Sequence, residues 1–493
     1  MTLTESRKNA LRLISLFSSA RFLSEVFYFF RGILLAKILG PSLLGIWTQM
    51  KVSLMFMAYS NMGSSQAMLR EVPYAMGQAN QARADRVKRG AWGLNFIASS
   101  MLALVVFGYF FLVRTEPERQ IRSAWYLFVL FFLMSQAFWY TVFRLQSEHR
   151  IGRSGLVIVG FSAASTILGT IAAYFWGLPG LLAAMVVSTA IVLIMGGGLG
   201  TFFTPLFNLH LYQELISKGF PIMMSVALLT ILWNVDKIVI SLLMDTRSLG
   251  IYALQACITN ILTIVPHAVS TVLYPSLMEE IGMALEENTL RNYLVQPTLA
   301  MSYLICPLLS AIFIAFPIPI RWFLPQYTAA VLPGQIIVFA FFFSILARMP
   351  ATLLVSLNRQ NLLMLLTLIA VISGFFLDWL FVVRGLGLVG VAVGTGLSLV
   401  IYACLTFSFS VKEIGMPSRE IGLFLVKTLV PFLACLGLGL FAHCCLAGAG
   451  ESLMADVGGG LVRILTVFAG MALLYGFLNK RLGLLHYFMA RQR

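Results

Sequence analysis

Apolar residues run along this chain in long continuous blocks instead of alternating with polar residues. The blocks are about 20 residues long, the length with which an α-helix crosses a bilayer, whereas a membrane β-strand would alternate over about ten residues. The pattern therefore predicts an all-α polytopic membrane protein with about fourteen transmembrane helices. The predicted spans cover residues 12–39, 44–69, 90–113, 123–145, 154–176, 179–203, 220–243, 249–273, 294–318, 330–356, 361–383, 387–411, 421–446 and 459–479. Before the seventh span, apolar residues at helical spacing over 206–220 predict a separate interfacial helix.

Composition and charge restrict the class of protein. The 493 residues are 59% hydrophobic and only 11% charged, whereas about a quarter of the residues in soluble domains are charged. The chain is therefore not a soluble enzyme. The net charge of +15 lies mostly in short segments between spans, so we interpret it as topology and expect no nucleic-acid partner. Most of these basic residues fall on the inside if the N-terminus is cytoplasmic, which predicts that both termini face the cytoplasm.

Motifs for catalysis or metal binding are absent from the sequence. It contains neither a Walker A sequence nor a zinc-protease or nucleophile-elbow motif. The six cysteines lie in apolar runs without metal-ligand spacing, and the five histidines are scattered singly. We therefore expect no enzyme activity, no cofactor and no metal.

Two short motifs recur at nearly equal distances along the chain. Residues 44–47 (LGIW) resemble residues 249–252 (LGIY), and residues 177–180 (GLPG) resemble residues 387–390 (GLVG), offsets of about 205 and 210 positions. Two matches with similar offsets indicate two related halves of about 200 residues followed by a tail, as in transporters built from repeats.

The first span carries charged residues in an otherwise apolar segment. Arg21, Glu25, Arg31 and Lys37 all lie within it, although a charge near the bilayer centre costs about 2.5–3.5 kcal/mol on insertion scales. Arg21 and Glu25 are four residues apart and share a helix face, so a structural ion pair is one interpretation. For Lys37, close to the predicted turn at 40–41, snorkelling towards the membrane surface is favoured.

Further charged residues lie at comparable depth in the second, seventh and eleventh spans, so we predict a hydrated cavity in which they meet those of the first span. Basic residues outnumber acidic ones in this set, so the cavity suits an anionic headgroup, and arginine matches phosphate oxygens in a bidentate manner. Aromatic residues at 27–30 are candidates for stacking on sugars, although lipid or core contacts explain such runs more often. The candidate binding residues are Arg21, Glu25, Arg31, Lys51, Asp236, Lys237 and Asp378.

These residues also carry a resemblance to a known family. Residues 31–41 (RGILLAKILGP), followed by LGIW at 44–47, resemble the first-helix signature of bacterial lipid-linked oligosaccharide flippases, the O-antigen and polysaccharide transporters of the multidrug/oligosaccharidyl-lipid/polysaccharide exporter superfamily. Its recurring second-half motifs are similar to GFP at 219–221, VDK at 235–237, LGIY at 249–252 and LYP at 273–275. By position, the resemblance assigns headgroup binding to Arg31, with Arg21 and Lys237 assisting.

The resemblance implies two pseudosymmetric six-helix lobes, which we place at 1–205 and 206–411. Many members of the family have twelve spans, so the fourteen predicted here are a departure, and they add two helices and a basic tail at 412–493. It implies alternating access in the bacterial inner membrane, which carries an undecaprenyl-diphosphate-linked oligosaccharide to the outer leaflet for O-antigen or exopolysaccharide assembly. Expected partners are the lipid-linked glycan, membrane lipids, a coupling proton or sodium ion, and polysaccharide polymerase machinery.

Alternatives to this function remain open at the level of the sequence. One is a cation-coupled multidrug exporter of the same superfamily, although that activity calls for an acidic cavity. Another is a lipid II flippase, which has fourteen spans but a more densely charged first helix. A membrane glycosyltransferase is disfavoured because the external loops are short. The glycan, the coupling ion, the oligomeric state and the role of the last two helices are not specified by the sequence.

Overall fold

The computed structural model describes residues 3–113, 118–197, 204–259, 262, 287–445 and 452–482. Within these ranges the regular structure is helical, without a β-strand. The α-helices are α1 (Leu3–Met57), α2 (Ser64–Gly77), α3 (Gln81–Gly108), α4 (Arg119–Ser147), α5 (Ile151–Gly196), α6 (Leu209–Leu232), α7 (Val235–Leu243), α8 (Thr246–Tyr252), α9 (Glu287–Ala315), α10 (Pro317–Phe323), α11 (Val331–Leu346), α12 (Arg348–Ser356), α13 (Gln360–Val383), α14 (Gly387–Glu413), α15 (Ser418–Cys445) and α16 (Leu453–Leu482). The prediction of an all-α polytopic membrane protein is confirmed.

Eleven segments among the described residues are long and apolar enough to cross a membrane, and two of them are long enough to cross twice. Ser19–Asn61 has 43 residues and Ile151–Gly196 has 46, about twice the 20 residues of one span. Each is divided by a glycine at positive φ, with φ 69° at Gly40 and 62° at Gly177. Glycine adopts this conformation without a Cβ clash. The predicted boundaries between spans one and two and between spans five and six coincide with these glycines.

Two other predicted segments differ from the structure or lie beyond its description. The separate interfacial helix predicted over 206–220 is wrong, because α6 runs without interruption from Leu209 to Leu232. The amphipathic spacing marks the polar start of the seventh span, and that span is then broken between α6 and α7. Most of the predicted eighth span, 249–273, lies outside the described residues, together with the LYP motif at 273–275.

The chain divides into two compact units. The first comprises Met1–Thr230 with Thr246–Gly250, and the second comprises Ile231–Asp245 with Ile251–Arg493. The division predicted at residues 205 and 411 stays a prediction. In the first unit, α5 packs against both α1 and α4, and α2 packs against α3 and α4. A core of alanines and larger residues, including Met68, Trp92 and Tyr140, fills the space at one end of these helices.

Two glycines of the repeated motif make a close helix crossing within the first unit. A Cβ at Gly45 would overlap the carbonyl oxygen of Thr246, and a Cβ at Gly250 would overlap the carbonyl oxygen of Pro41. Gly45 therefore lies against Thr246, four positions before Gly250, and Gly250 lies against Pro41, four positions before Gly45. Such close approach of two backbones requires small residues at the crossing.

The second unit is built around a larger apolar core contributed by α9, α11, α12, α14, α15 and α16. Helices α15 and α16, the predicted additional pair, pack on α9 through specific polar contacts. The Tyr475 hydroxyl donates to the carbonyl of Tyr303 at 2.7 Å, and the Ser302 hydroxyl donates to the carbonyl of Thr428 at 3.0 Å. The last two helices are therefore integral to the core of this unit.

Candidate functional site

The kink at Gly40 divides α1 into two arms, one before and one after this glycine. A cavity of about 250 Å³ opens within the first unit, between these two arms and helices α4 and α5. Four of the seven residues predicted from the sequence line it: Arg21, Glu25, Arg31 and Lys51. Three cations and one carboxylate leave the lining net positive. The kink at Gly40 makes this possible, because it directs the arm that carries Lys51 back along the arm that carries the other three.

Arg31 is held in the cavity wall by groups from two helices. Its NH1 nitrogen donates to the Ser165 hydroxyl of α5 at 2.9 Å, and its guanidinium carbon lies 4.7 Å from the centre of the Tyr28 ring. A cation over an aromatic face is attracted by the negative charge of the ring face. The charged neighbours of Glu25 are Arg21 and Arg31, so this carboxylate sits between two arginines.

Aromatic side chains contribute half of the remaining lining residues. Trp47 lies under Lys51, whose ammonium is 5.8 Å from the ring centre. Further walls come from α4 and α5, with Ser24, Ser135 and Thr189 adding hydroxyl groups. A net-positive cavity with aromatic and hydroxyl walls is chemically suited to an anionic headgroup that carries a sugar. The additional aromatic lining residues are Phe131, Phe138, Trp139 and Phe161.

Some residues considered at the level of the sequence are placed elsewhere. Among the aromatic run at 27–30, only Tyr28 lines the cavity, and Phe30 is exposed. Lys37 is exposed and does not line the cavity, and its snorkelling towards the membrane surface stays a prediction. Trp139 in the cavity wall and Ser165, the hydrogen-bond acceptor of Arg31, were missed because a serine or a tryptophan in an apolar helix gives no signal in the sequence that separates a functional role from ordinary packing.

The other three predicted residues, Asp236, Lys237 and Asp378, belong to the second unit. Asp236 is held by Lys237, with its Oδ1 atom 2.7 Å from the backbone nitrogen and 3.5 Å from the ammonium. The same ammonium donates to the side-chain oxygen of Asn234 at 3.1 Å. Lys237 and Asp236 therefore neutralise each other at the start of α7.

Asp378 has a different environment. Its side chain is fully buried, at 0% exposure, and receives a hydrogen bond from the Thr395 hydroxyl at 3.1 Å. Asp236 and Tyr252 are its electrostatic neighbours. Among the described residues, no basic side chain lies within ion-pair distance of Asp378. A Cβ at Gly394 would overlap its Oδ1 atom, so the glycine makes room for the carboxylate.

Comparison with solved structures identifies the fold. The lipid II flippase MurJ in an inward closed conformation has a TM-score of 0.69 at 13% identity, over 94% of this chain and 99% of that one. An inward-facing multidrug resistance MATE transporter of the MOP superfamily has a TM-score of 0.63 at 14% identity, over 82% of this chain and 94% of that one. At these identities the similarity shows the fold alone.

The family follows from the sequence match. No curated protein matches the chain, but the model of the polysaccharide biosynthesis protein family matches residues 10–280, more than half of its length. That range contains both arms of α1, the cavity of the first unit and the Asp236–Lys237 pair. The resemblance seen in the first helix is thereby confirmed, and the chain belongs to the polysaccharide biosynthesis protein family, with a helical multi-pass membrane fold similar to that of the MurJ and MATE structures.

Proposed function

We propose that this protein is a flippase that moves an undecaprenyl-diphosphate-linked oligosaccharide from the inner to the outer leaflet of the bacterial cytoplasmic membrane for cell-surface polysaccharide assembly. The single observation that carries the proposal is the net-positive, aromatic-walled cavity of the first unit, in a chain of the polysaccharide biosynthesis family. The diphosphate would bind to the cations, and the first sugar would stack on the aromatic wall.

The size of the cavity limits what it encloses. At about 250 Å³ it lies just below the roughly 300–1,000 Å³ of ordinary small-molecule pockets. We therefore infer that it accommodates the diphosphate and the adjoining sugar, while the polyprenyl chain remains in lipid. A lipophilic cation, the substrate of a multidrug exporter, would face three cations against one carboxylate. The electrostatics thus favour the anionic lipid.

The decisive experiment compares two cations on the same helix arm. Arg31 lines the cavity, whereas Lys37 is exposed outside it, so Arg31→Gln and Lys37→Gln remove equal charge. In proteoliposomes with fluorescent undecaprenyl-diphosphate-linked sugar, dithionite quenching reports translocation. We expect Arg31→Gln to lower the rate at least tenfold, because a charge-assisted hydrogen bond contributes about 1.5–3 kcal/mol, and Lys37→Gln to leave it within twofold.

Charge reversal extends the comparison to cells. Arg31→Glu should abolish surface glycan and leave the lipid-linked precursor on the cytoplasmic leaflet, whereas Arg31→Lys should retain part of the activity because the charge remains but the bidentate geometry is lost. Normal export by Arg31→Glu, at wild-type protein abundance, would exclude the cavity as the headgroup site.

We further propose that Asp378, with Asp236 beside it, binds the coupling cation, a proton or a sodium ion. Support comes from the full burial of Asp378 without a described basic partner, since a buried carboxylate is costly unless it is protonated or bound to a cation. Asp236 contributes less free charge because Lys237 already neutralises it.

Asp378→Asn tests this coupling. The variant should still bind substrate in the first unit but lose the stimulation of transport by an imposed ion gradient. Imposing a sodium gradient at constant pH, and then a pH gradient without sodium, identifies the ion. Asp85→Asn is the control, since Asp85 is an exposed carboxylate paired with Lys88. Full gradient stimulation in Asp378→Asn would remove Asp378 from coupling.

A further inference from the structure

The guanidinium of Arg31 is held by groups that come from two different helices. Ser165 of α5 is fully buried, at 0% exposure, and its hydroxyl lies 3.4 Å from the carbonyl oxygen of Ser162. A serine in a helix commonly donates to a carbonyl three or four residues earlier. Since its one proton is used there, the lone pairs of Ser165 remain to accept from Arg31 at 2.9 Å.

The Tyr28 ring supports the same guanidinium from below. Tyr28 precedes Arg31 by about one helical turn, so the two side chains lie on one face of α1. The guanidinium carbon lies over the ring, 4.7 Å from its centre, where the ring face attracts the cation. The hydrogen bond to Ser165 occupies one edge. The other N–H groups of the guanidinium are therefore left for an anion in the cavity.

A further hydrogen bond fixes the register of α1 and α5 next to Arg31. The Thr166 hydroxyl, next to Ser165, donates to the backbone carbonyl of Phe27 at 3.3 Å. This bond joins α5 to α1 beside both groups that hold Arg31, because Thr166 follows Ser165 and Phe27 precedes Tyr28. A long arginine side chain would otherwise snorkel along the helix towards a polar surface. The arrangement instead keeps the guanidinium in the cavity wall.

We propose that Ser165 and Tyr28 are positioning residues for Arg31, which orient its guanidinium so that its remaining N–H groups bind the diphosphate. This inference rests on the proposed function, because it takes the diphosphate as the ligand of the cavity. Ser165 is not among the residues that line the cavity, so its effect on binding should pass through Arg31. Tyr28 lines the cavity and also holds the guanidinium.

A double-mutant cycle tests this dependence. Equilibrium binding of radiolabelled undecaprenyl diphosphate to the purified full-length protein gives the affinity of each variant. Ser165→Ala should weaken binding about tenfold, the value of one hydrogen bond to a charged group. In an Arg31→Gln background, Ser165→Ala should have no further effect, because coupled residues are not additive.

Conservative variants and a matched control separate positioning from folding. Ser165→Thr keeps the acceptor and Tyr28→Phe keeps the ring, so both should retain affinity within about threefold, whereas Tyr28→Leu should lose it. Ser188→Ala is the control, since Ser188 is an equally buried serine of α5 whose hydroxyl bonds only within its own helix, to Ala184 at 2.7 Å. It should bind like the wild type.

The outcomes distinguish this inference from the proposed function. Additive losses in the cycle, or an unchanged affinity in Ser165→Ala, would overturn the positioning role while Arg31→Gln still identifies the headgroup site. If the wild-type protein binds undecaprenyl diphosphate no better than uncharged undecaprenol, or if Arg31→Gln binds normally, the proposed function itself is overturned.

Discussion

Charged side chains within this apolar chain are accommodated in physically different ways, and the differences separate structural charges from candidate functional ones. Between α2, α3 and α6, Glu71 and Glu214 alternate with Arg83 and Lys218 in a closed ring of ion pairs, with distances of 2.8–3.3 Å. Glu71 is buried, with a side chain 6% exposed, yet it contacts two cations. A buried charge with such partners is compensated, so it needs no ligand to explain its presence.

The cavity and Asp378 differ from this ring of ion pairs. The cavity lining holds three cations and one carboxylate, and two of the cations, Arg31 and Lys51, lie over aromatic rings, so the lining is net positive. Asp378 receives its hydrogen bonds from Thr395 and has a second carboxylate, Asp236, as an electrostatic neighbour. A buried charge that has few partners of opposite charge within the protein indicates an external ligand more strongly than a buried charge in an ion pair does.

At the level of the elements, glycines determine how closely the helices approach. At the crossing of α1 and α8, the carbonyl of Thr246 lies where a Cβ of Gly45 would be, and the carbonyl of Pro41 lies where a Cβ of Gly250 would be. Lipid offers no hydrophobic force to press helices together, so close van der Waals packing at such crossings supplies much of the attraction. The repeated LGI motif thus has a packing role that the sequence alone did not reveal.

The variant Gly250→Ala tests this crossing. Its methyl group would overlap the Pro41 carbonyl, so the helices must separate, and we expect a loss of about 1–3 kcal/mol in stability, as for overpacked cores. Gly437→Ala in α15 is the matched control, because a Cβ there meets no atom within 4 Å, and alanine favours a helix by up to about 1 kcal/mol. Thermal unfolding of both variants in detergent measures the difference. Equal stability of the two variants would contradict a tight crossing.

At the level of the whole molecule, apolar block length and glycine placement were sufficient to predict the helical membrane fold. The breaks at Gly40 and Gly177 coincide with predicted span boundaries, and each glycine has a proline within the next two positions, Pro41 and Pro179. The interfacial helix was predicted wrongly, because the polar residues of α6 that suggested a surface location, Glu214 and Lys218, are used in the ion-pair ring instead. The spacing of polar residues along a helix identifies a polar face, but it does not show what that face contacts.

The candidate site was predictable only in part, for a related reason. Charge within a span is costly, so Arg21, Glu25, Arg31 and Lys51 could be selected from the sequence, and the structure places these four around one cavity. Partners such as Ser165 come from residues far away in the chain and carry no unusual cost of burial. Their contribution depends on helix register, which is fixed by tertiary packing.

The orientation of the whole molecule in the membrane is the remaining property that the charge distribution predicts. With both termini in the cytoplasm, the turn at Gln78 faces inwards and that at Arg384 faces outwards, and both positions are exposed. The exposed cysteines Cys404, Cys444 and Cys445 are first replaced. In right-side-out membrane vesicles, an impermeant maleimide should then label Arg384→Cys at once and label Gln78→Cys only after permeabilisation. The reverse labelling would invert the topology, and with it the leaflet from which the proposed substrate is taken.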